Sequence, residues 1–246
     1  MRRRHSPMNS KPENKKPTVV LVHGAFADAS SWNGVIERLQ REGYPVVAPA
    51  NPLRGLAADA DGLRAFLESV NGPVVLVGHS YGGAVISQAA TDNAQIKALV
   101  YIAAFTPEVG ESALELSNKF PGSTLGPNLD SVSNGTETDL YIKADKFHDQ
   151  FAADVPRAAT DLMAATQRPI AAGALEEKAT GAAWKTIPSW SLIAGQDYNI
   201  PPVAQRFMAE RAHAHTVEID ASHAVSVSQP AAVADLIEQA ARTVTG

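Results

Sequence analysis

The 246-residue sequence contains no cysteine. That excludes a disulfide framework, a thiol nucleophile and a thiolate metal site together. No run of about 18 consecutive apolar residues occurs, so no membrane-spanning helix is expected. Net charge is small at −5, but it is unevenly distributed. Arg2, Arg3, Arg4, Lys11, Lys15 and Lys16 crowd residues 1–17, opposed there by Glu13. The rest of the chain is therefore acidic, which argues against a nucleic-acid partner for the folded body. The basic start is followed by a polar, proline-broken stretch, not by the apolar run of a secretory signal. Residues 1–17 read as a disordered basic tail, with Met8 as a second candidate start. A cytoplasmic protein is the matching expectation.

Short apolar, β-branched runs alternate with amphipathic segments along most of the chain. Strands are expected at 18–22, 46–48, 73–77, 96–103, 189–194 and 216–219, read as apolar runs and not as alternating ones. Helices are expected at about 30–41, 59–70, 81–91, 202–211 and 230–243, the first capped by Ser30 or Ser31 and closed by Gly43. Continuous apolar strands alternating with helices describe a mostly parallel six-stranded sheet covered by helices on both faces. Residues 105–185 break the rhythm with loop-like stretches and alanine-rich helical ones near 147–166 and 170–179. This region reads as a mainly helical cap or lid inserted into a core formed by 18–104 and 186–246.

Between the third strand and the following helix stands Gly78-His79-Ser80-Tyr81-Gly82-Gly83. A G-x-S-x-G sequence gains weight when it bridges a strand and a helix, as here. The turn is so tight that positions two either side of the serine must lack bulky side chains. It lifts the hydroxyl to the N-terminus of the next helix, where the Tyr81 N–H can stabilise a developing oxyanion. Ser80 is thus the candidate nucleophile.

A serine hydroxyl needs a general base. Of seven histidines, His223 follows the last strand and precedes the last helix, on the same sheet edge as Ser80. His23 and His79 flank catalytic elements and read as structural. His148 falls in the cap, and His213 and His215 read as surface residues with no further metal ligands nearby. Asp197, in the loop after the preceding strand, is the candidate acid that would fix the imidazole tautomer. Its rival Asp220 is only three residues before His223, too near in sequence to orient the ring from behind. The second oxyanion donor should come from the loop after the first strand, with the Ala25 N–H preferred. Phe26, Trp32, Tyr81, Phe105 and Phe147 are candidates for an apolar pocket. No metal or organic cofactor is expected.

Together these residues resemble the α/β-hydrolase superfamily over residues 18–104 and 186–244. His23-Gly24-Ala25, the turn at Ser80, Asp197 and Ser222-His223 are similar to the compact branch holding plant methyl esterases, hydroxynitrile lyases and many bacterial esterases. The resemblance implies a Ser80–His223–Asp197 triad and oxyanion donors at Ala25 and Tyr81. The family sheet usually has eight strands, and two N-terminal ones have no counterpart here. Lyases of this branch carry threonine where this chain has Gly24 and lysine where it has Ala224. Those departures favour ester hydrolysis, and a serine nucleophile argues against epoxide hydrolase or dehalogenase chemistry. The expected activity is hydrolysis of a small carboxylic ester through an acyl-enzyme, by a monomer or homodimer. The alternatives are a cofactor-free perhydrolase or haloperoxidase, a hydroxynitrile lyase, and a ligand-binding receptor on the same scaffold.

Overall fold

The computed structural model describes residues 15–244. Most of the expected tail lies outside that range. Lys16 and Pro17, assigned to the tail from sequence, pack on the body: Pro17 is buried and the Lys16 ammonium sits 4.6 Å from the centroid of the Tyr44 ring.

The chain opens with β1 (Thr18–Val22) and a 3-10 turn at Ala29–Trp32 that leads into α1 (Asn33–Arg41). The turn is capped by Asp28, whose carboxylate accepts the Ser30 N–H at 2.8 Å. The cap expected at Ser30 or Ser31 thus falls just after the observed one. Gly43, at φ +83°, ends α1 in the left-handed conformation that glycine adopts without steric cost. Then come β2 (Val46–Val47), α2 (Leu56–Leu67), β3 (Val74–His79), α3 (Tyr81–Ala89) and β4 (Ile96–Ile102).

The segment after β4 holds α4 (Ala113–Asn118), β5 (Leu129–Ser133), β6 (Thr138–Ile142), α5 (Phe147–Phe151), α6 (Arg157–Thr166), β7 (Ile170–Ala171) and α7 (Ala172–Glu176). The chain returns through β8 (Ser189–Ala194), α8 (Pro202–Arg211), β9 (His215–Ile219), α9 (Val225–Ser228) and α10 (Pro230–Arg242).

The main sheet has six strands in the order β2-β1-β3-β4-β8-β9, all paired in parallel. Strand residues alternate between two cores, as a pleated strand requires. Val19, Leu21, Val75, Val77, Val100 and Ile102 face α1 and α10. Val20, Val22, Val74, Leu76, Leu99 and Tyr101 face α2, α3 and α8. Because both faces are covered, the central strands β1 and β3 begin as continuous apolar runs, TVVLV and VVLV. Complete burial of a side chain such as Leu39 of α1 contributes about 2 kcal/mol.

The segment between β4 and β8 differs from the expectation in one respect. Besides helices it carries a three-stranded antiparallel sheet, β5-β6-β7. Its strands lack the apolar run that marks a buried strand: β5 is Leu-Asp-Ser-Val-Ser, mostly exposed. The signal that was there is the turn, Asn134-Gly135, with Gly135 at φ +97° and the Asn134 carboxamide accepting the Glu137 N–H. Arg54, just before α2, holds this sheet to the main body. Its guanidinium reaches Asp139 at 2.7 Å, Glu137 at 3.0 Å and the Pro169 carbonyl at 3.1 Å.

Candidate active site

Ser80 occupies the single residue between β3 and α3, at φ +55° and ψ −124°. A non-glycine residue there stores about 1–3 kcal/mol of strain that the surroundings must hold. They do so with three backbone bonds: Ser80 N–H donates to the Ile102 carbonyl, and the Ser80 carbonyl accepts from Gly83 and Phe105. The absence of side chains lets the segments close on one another. A Cβ on Gly82 would lie 2.4 Å from the Val22 carbonyl oxygen, and one on Gly24 would lie 2.8 Å from Ser80 Cβ.

That approach brings the loop after β1 against the serine turn. Neither the Ala25 N–H nor the Tyr81 N–H has a hydrogen-bond partner among the described residues. The Phe26 N–H, by contrast, donates to the Arg168 carbonyl at 2.9 Å. His23 pins the loop: its Nδ1–H donates to the Gly24 carbonyl and its Nε2 accepts the Asn51 N–H, both at 2.9 Å. Burial holds this imidazole below its ordinary value, in keeping with a neutral ring that both donates and accepts.

His223 follows β9 and is buried. Its Nδ1 lies 2.6 Å from Asp197 Oδ2, while its Nε2 is buried without a partner among the described residues. Asp197 accepts three further bonds, from Asn199 N–H at 2.8 Å, Ile200 N–H at 3.0 Å and Gln205 Nε2 at 2.9 Å. Asp220 is exposed and does not meet the ring. The His223 carbonyl accepts a hydrogen bond from His79 Nε2–H at 2.8 Å, and burial drives the His79 imidazole well below its ordinary range. From the segment between β4 and β8, Asp154 accepts the Ser222 N–H and hydroxyl, and Phe151 accepts the Ala224 N–H at 3.1 Å. The Phe151 ring meets His223 edge-on at 5.1 Å.

A cavity of about 290 Å³ opens at Ser80. Ala25, Phe26, Tyr81 and Phe105 line it, together with Leu114, Leu125, Leu129, Leu140, Leu175 and Ile200. Two expected wall residues lie elsewhere. Trp32 is fully buried in the core facing α1 and α10, edge-on to His79 at 6.3 Å. Phe147 stacks on Phe151 at 5.0 Å and so buttresses the ring that contacts His223. His148 bonds Thr160 Oγ1 at 3.0 Å within the α5–α6 pair, and His215 stacks on Trp190. Sequence reasoning missed the leucines, Gln205 and the polar wall residue Asn199. Only Asn199 had a local signal, its position two residues after Asp197.

Comparison with known proteins places the chain. A model of the alpha/beta hydrolase family matches residues 19–236, and the chain belongs to that family. It is 28% identical to a probable hydrolase, R7, from Phoma sp., over 92% of this chain and 98% of that one. It is 37% identical to a carbendazim hydrolyzing esterase from Nocardioides sp., over 41% of this chain and 47% of the relative. The crystal structure of polyneuridine aldehyde esterase superposes with a TM-score of 0.78 at 19% identity, covering 91% of this chain and 98% of that one.

Proposed function

We propose that the protein is a serine esterase that cleaves small, apolar carboxylic esters through an acyl-enzyme. The observation that carries this reading is the buried His223, with Asp197 at Nδ1 and a free Nε2, on the sheet edge where Ser80 is held. Esterases among the relatives support the reaction class.

Ser80 Oγ attacks the ester carbonyl as His223 Nε2 takes its proton. Asp197 stabilises the imidazolium that forms and keeps the ring in the required tautomer. The Ala25 and Tyr81 N–H groups donate to the oxyanion, each such donor contributing about 3–4 kcal/mol in the transition state. Collapse of the tetrahedral species breaks the bond to the alcohol, which leaves with the proton from His223. Water, deprotonated by the same Nε2, then cleaves the acyl–Ser80 bond and releases the acid.

Gly24 and Ala224 stand where a lyase of this branch has threonine and lysine. The 2.8 Å from a Gly24 Cβ to Ser80 Cβ leaves no room for threonine without displacing the nucleophile. Residues 105–185 act in this reading as the cap that closes the cavity over the acyl or alcohol group.

A panel of p-nitrophenyl esters tests the proposal. Release of p-nitrophenol from neutral, apolar members is expected, with little peracid formed from acetate and peroxide and no aldehyde formed from cyanohydrins. Failure to hydrolyse any ester, with turnover in either other assay, would reject the esterase reading.

A further inference from the structure

Asn199, in the wall of the cavity, pairs with Gln150 behind it, and the two amides are 3% and 4% exposed. Their bonds fix which end of each amide is which. The Tyr198 carbonyl can only accept, so the Gln150 group 3.0 Å from it is the Nε2 amine. That amine also meets Asn199 at 2.7 Å, so the Asn199 atom there is Oδ1. Gln150 Oε1 correspondingly accepts from Thr124 Oγ1 and Asn128 Nδ2, both at 2.8 Å. Asn199 is left with its Nδ2 amine directed away from Gln150. That amine has no hydrogen-bond partner among the described residues, and Asn199 lines the cavity that holds Ser80.

The amine is not among the fully buried unpartnered atoms, so it reaches the cavity, where water can satisfy it; an occupant that displaces that water loses a hydrogen bond unless it supplies an acceptor. The other lining groups limit what that acceptor can be. Glu176 is the charged residue of the wall, and no lysine or arginine lines it. A carboxylate there would lose its hydration without gaining a counter-charge. The Asn199 backbone N–H bonds Asp197 Oδ1 at 2.8 Å, which ties the position of the side chain to that of the His223–Asp197 pair.

We propose that Asn199 Nδ2 is a specificity-determining donor, and that the ester taken is uncharged with a second acceptor, such as a ketone, ether or amide oxygen, beyond the scissile carbonyl. Gln150 is the positioning residue that keeps the amine turned towards the cavity. This inference rests on the esterase reading for the point of attack at Ser80.

The test uses matched p-nitrophenyl esters whose acyl chains are either all methylene or carry one ketone at successive positions, plus a chain ending in carboxylate. Binding is measured by calorimetry to the Ser80→Ala variant, where turnover is not needed. At least one keto ester is expected to bind about five- to tenfold tighter than its alkyl partner, the scale of one added hydrogen bond. The carboxylate ester is expected to bind more weakly than both. The keto preference should vanish in Ser80→Ala/Asn199→Ala and in Ser80→Ala/Asn199→Asp. The aspartate variant keeps the oxygen that Gln150 needs, so it decides the matter if the alanine variant fails to fold. Equal binding of keto and alkyl esters at every position, or a preference that survives loss of Nδ2, overturns the inference. Failure of the esterase reading would look different: keto preference intact in binding, with no ester turned over by the wild-type protein.

Discussion

At the scale of single residues, Asp197 is held as the proposed orienting acid would have to be. Four donors share its two oxygens, so the carboxylate is fixed before the imidazole approaches it. Replacing it with asparagine offers His223 Nδ1 an amine or a mispositioned carbonyl and disturbs the tautomer. Asp197→Asn is expected to lower kcat on p-nitrophenyl esters by about 10⁴-fold. Asp220→Asn, at an exposed position, should change it by no more than about twofold. A larger loss at Asp220 would assign the acid there instead. Both aspartates were visible in the sequence because chain order places a residue on the sheet edge. Gln205 was not, and Asn199 only by its position beside Asp197, because their roles depend on which way α8 and its preceding loop turn their side chains. Trp32 and Phe147 misled for a similar reason: an aromatic residue near the site in sequence can pack behind it as readily as line it.

At the scale of elements, the serine turn and α2 give the same substitution opposite signs. A Cβ on Gly82 meets the Val22 backbone at 2.4 Å, and backbone on backbone cannot rotate away. Gly82→Ala is therefore expected to cost about 3 kcal/mol. Gly62 sits inside α2, and a methyl group added there would meet nothing within 4 Å, so alanine removes only the entropic penalty of glycine in a helix. Gly62→Ala should stabilise by about 0.5–1 kcal/mol. Urea denaturation of both variants checks the pair, and destabilisation by Gly62→Ala or neutrality of Gly82→Ala would contradict the packing described. Elements of the parallel sheet were legible because burial on both faces forces continuous apolar runs. The β5–β6 hairpin was not, because an exposed strand has no such constraint and only its Asn134-Gly135 turn announced it.

At the scale of the whole molecule, two buried imidazoles couple the fold to pH. Burial keeps His23 and His79 below their ordinary 6.5. In the window below 6.5 the unfolded chain binds protons that the native state refuses, so stability is complete above that pH and is lost as pH falls. Asp59 acts in the opposite sense. Burial raises its carboxyl above 3.8, so its unfavourable contribution is relieved on acidification towards that value. Burial and the neighbouring Glu42 raise Glu238 likewise, but these carboxyls have reference values of 3.8 and 4.5, so the two histidines, with 6.5, set the sign near neutrality. The melting temperature is expected to fall between about pH 7.5 and about pH 5.5, less steeply in His79→Gln, whose amide can still donate to the His223 carbonyl. A melting temperature that is flat or rises on acidification would contradict this. The same buried His79 links the core to the loop of His223, while Asp154 and Phe151 hold that loop from the segment between β4 and β8. The main sheet and the segment between β4 and β8 thus meet at the loop of His223.

The central claim is that Ser80 is the nucleophile. Its most direct measurement is the rate of p-nitrophenyl ester hydrolysis by Ser80→Ala beside the wild-type protein, with circular dichroism to verify folding. The expected result is a loss on the order of 10⁶-fold in kcat for a folded variant. Retention of substantial esterase activity by folded Ser80→Ala would contradict the account.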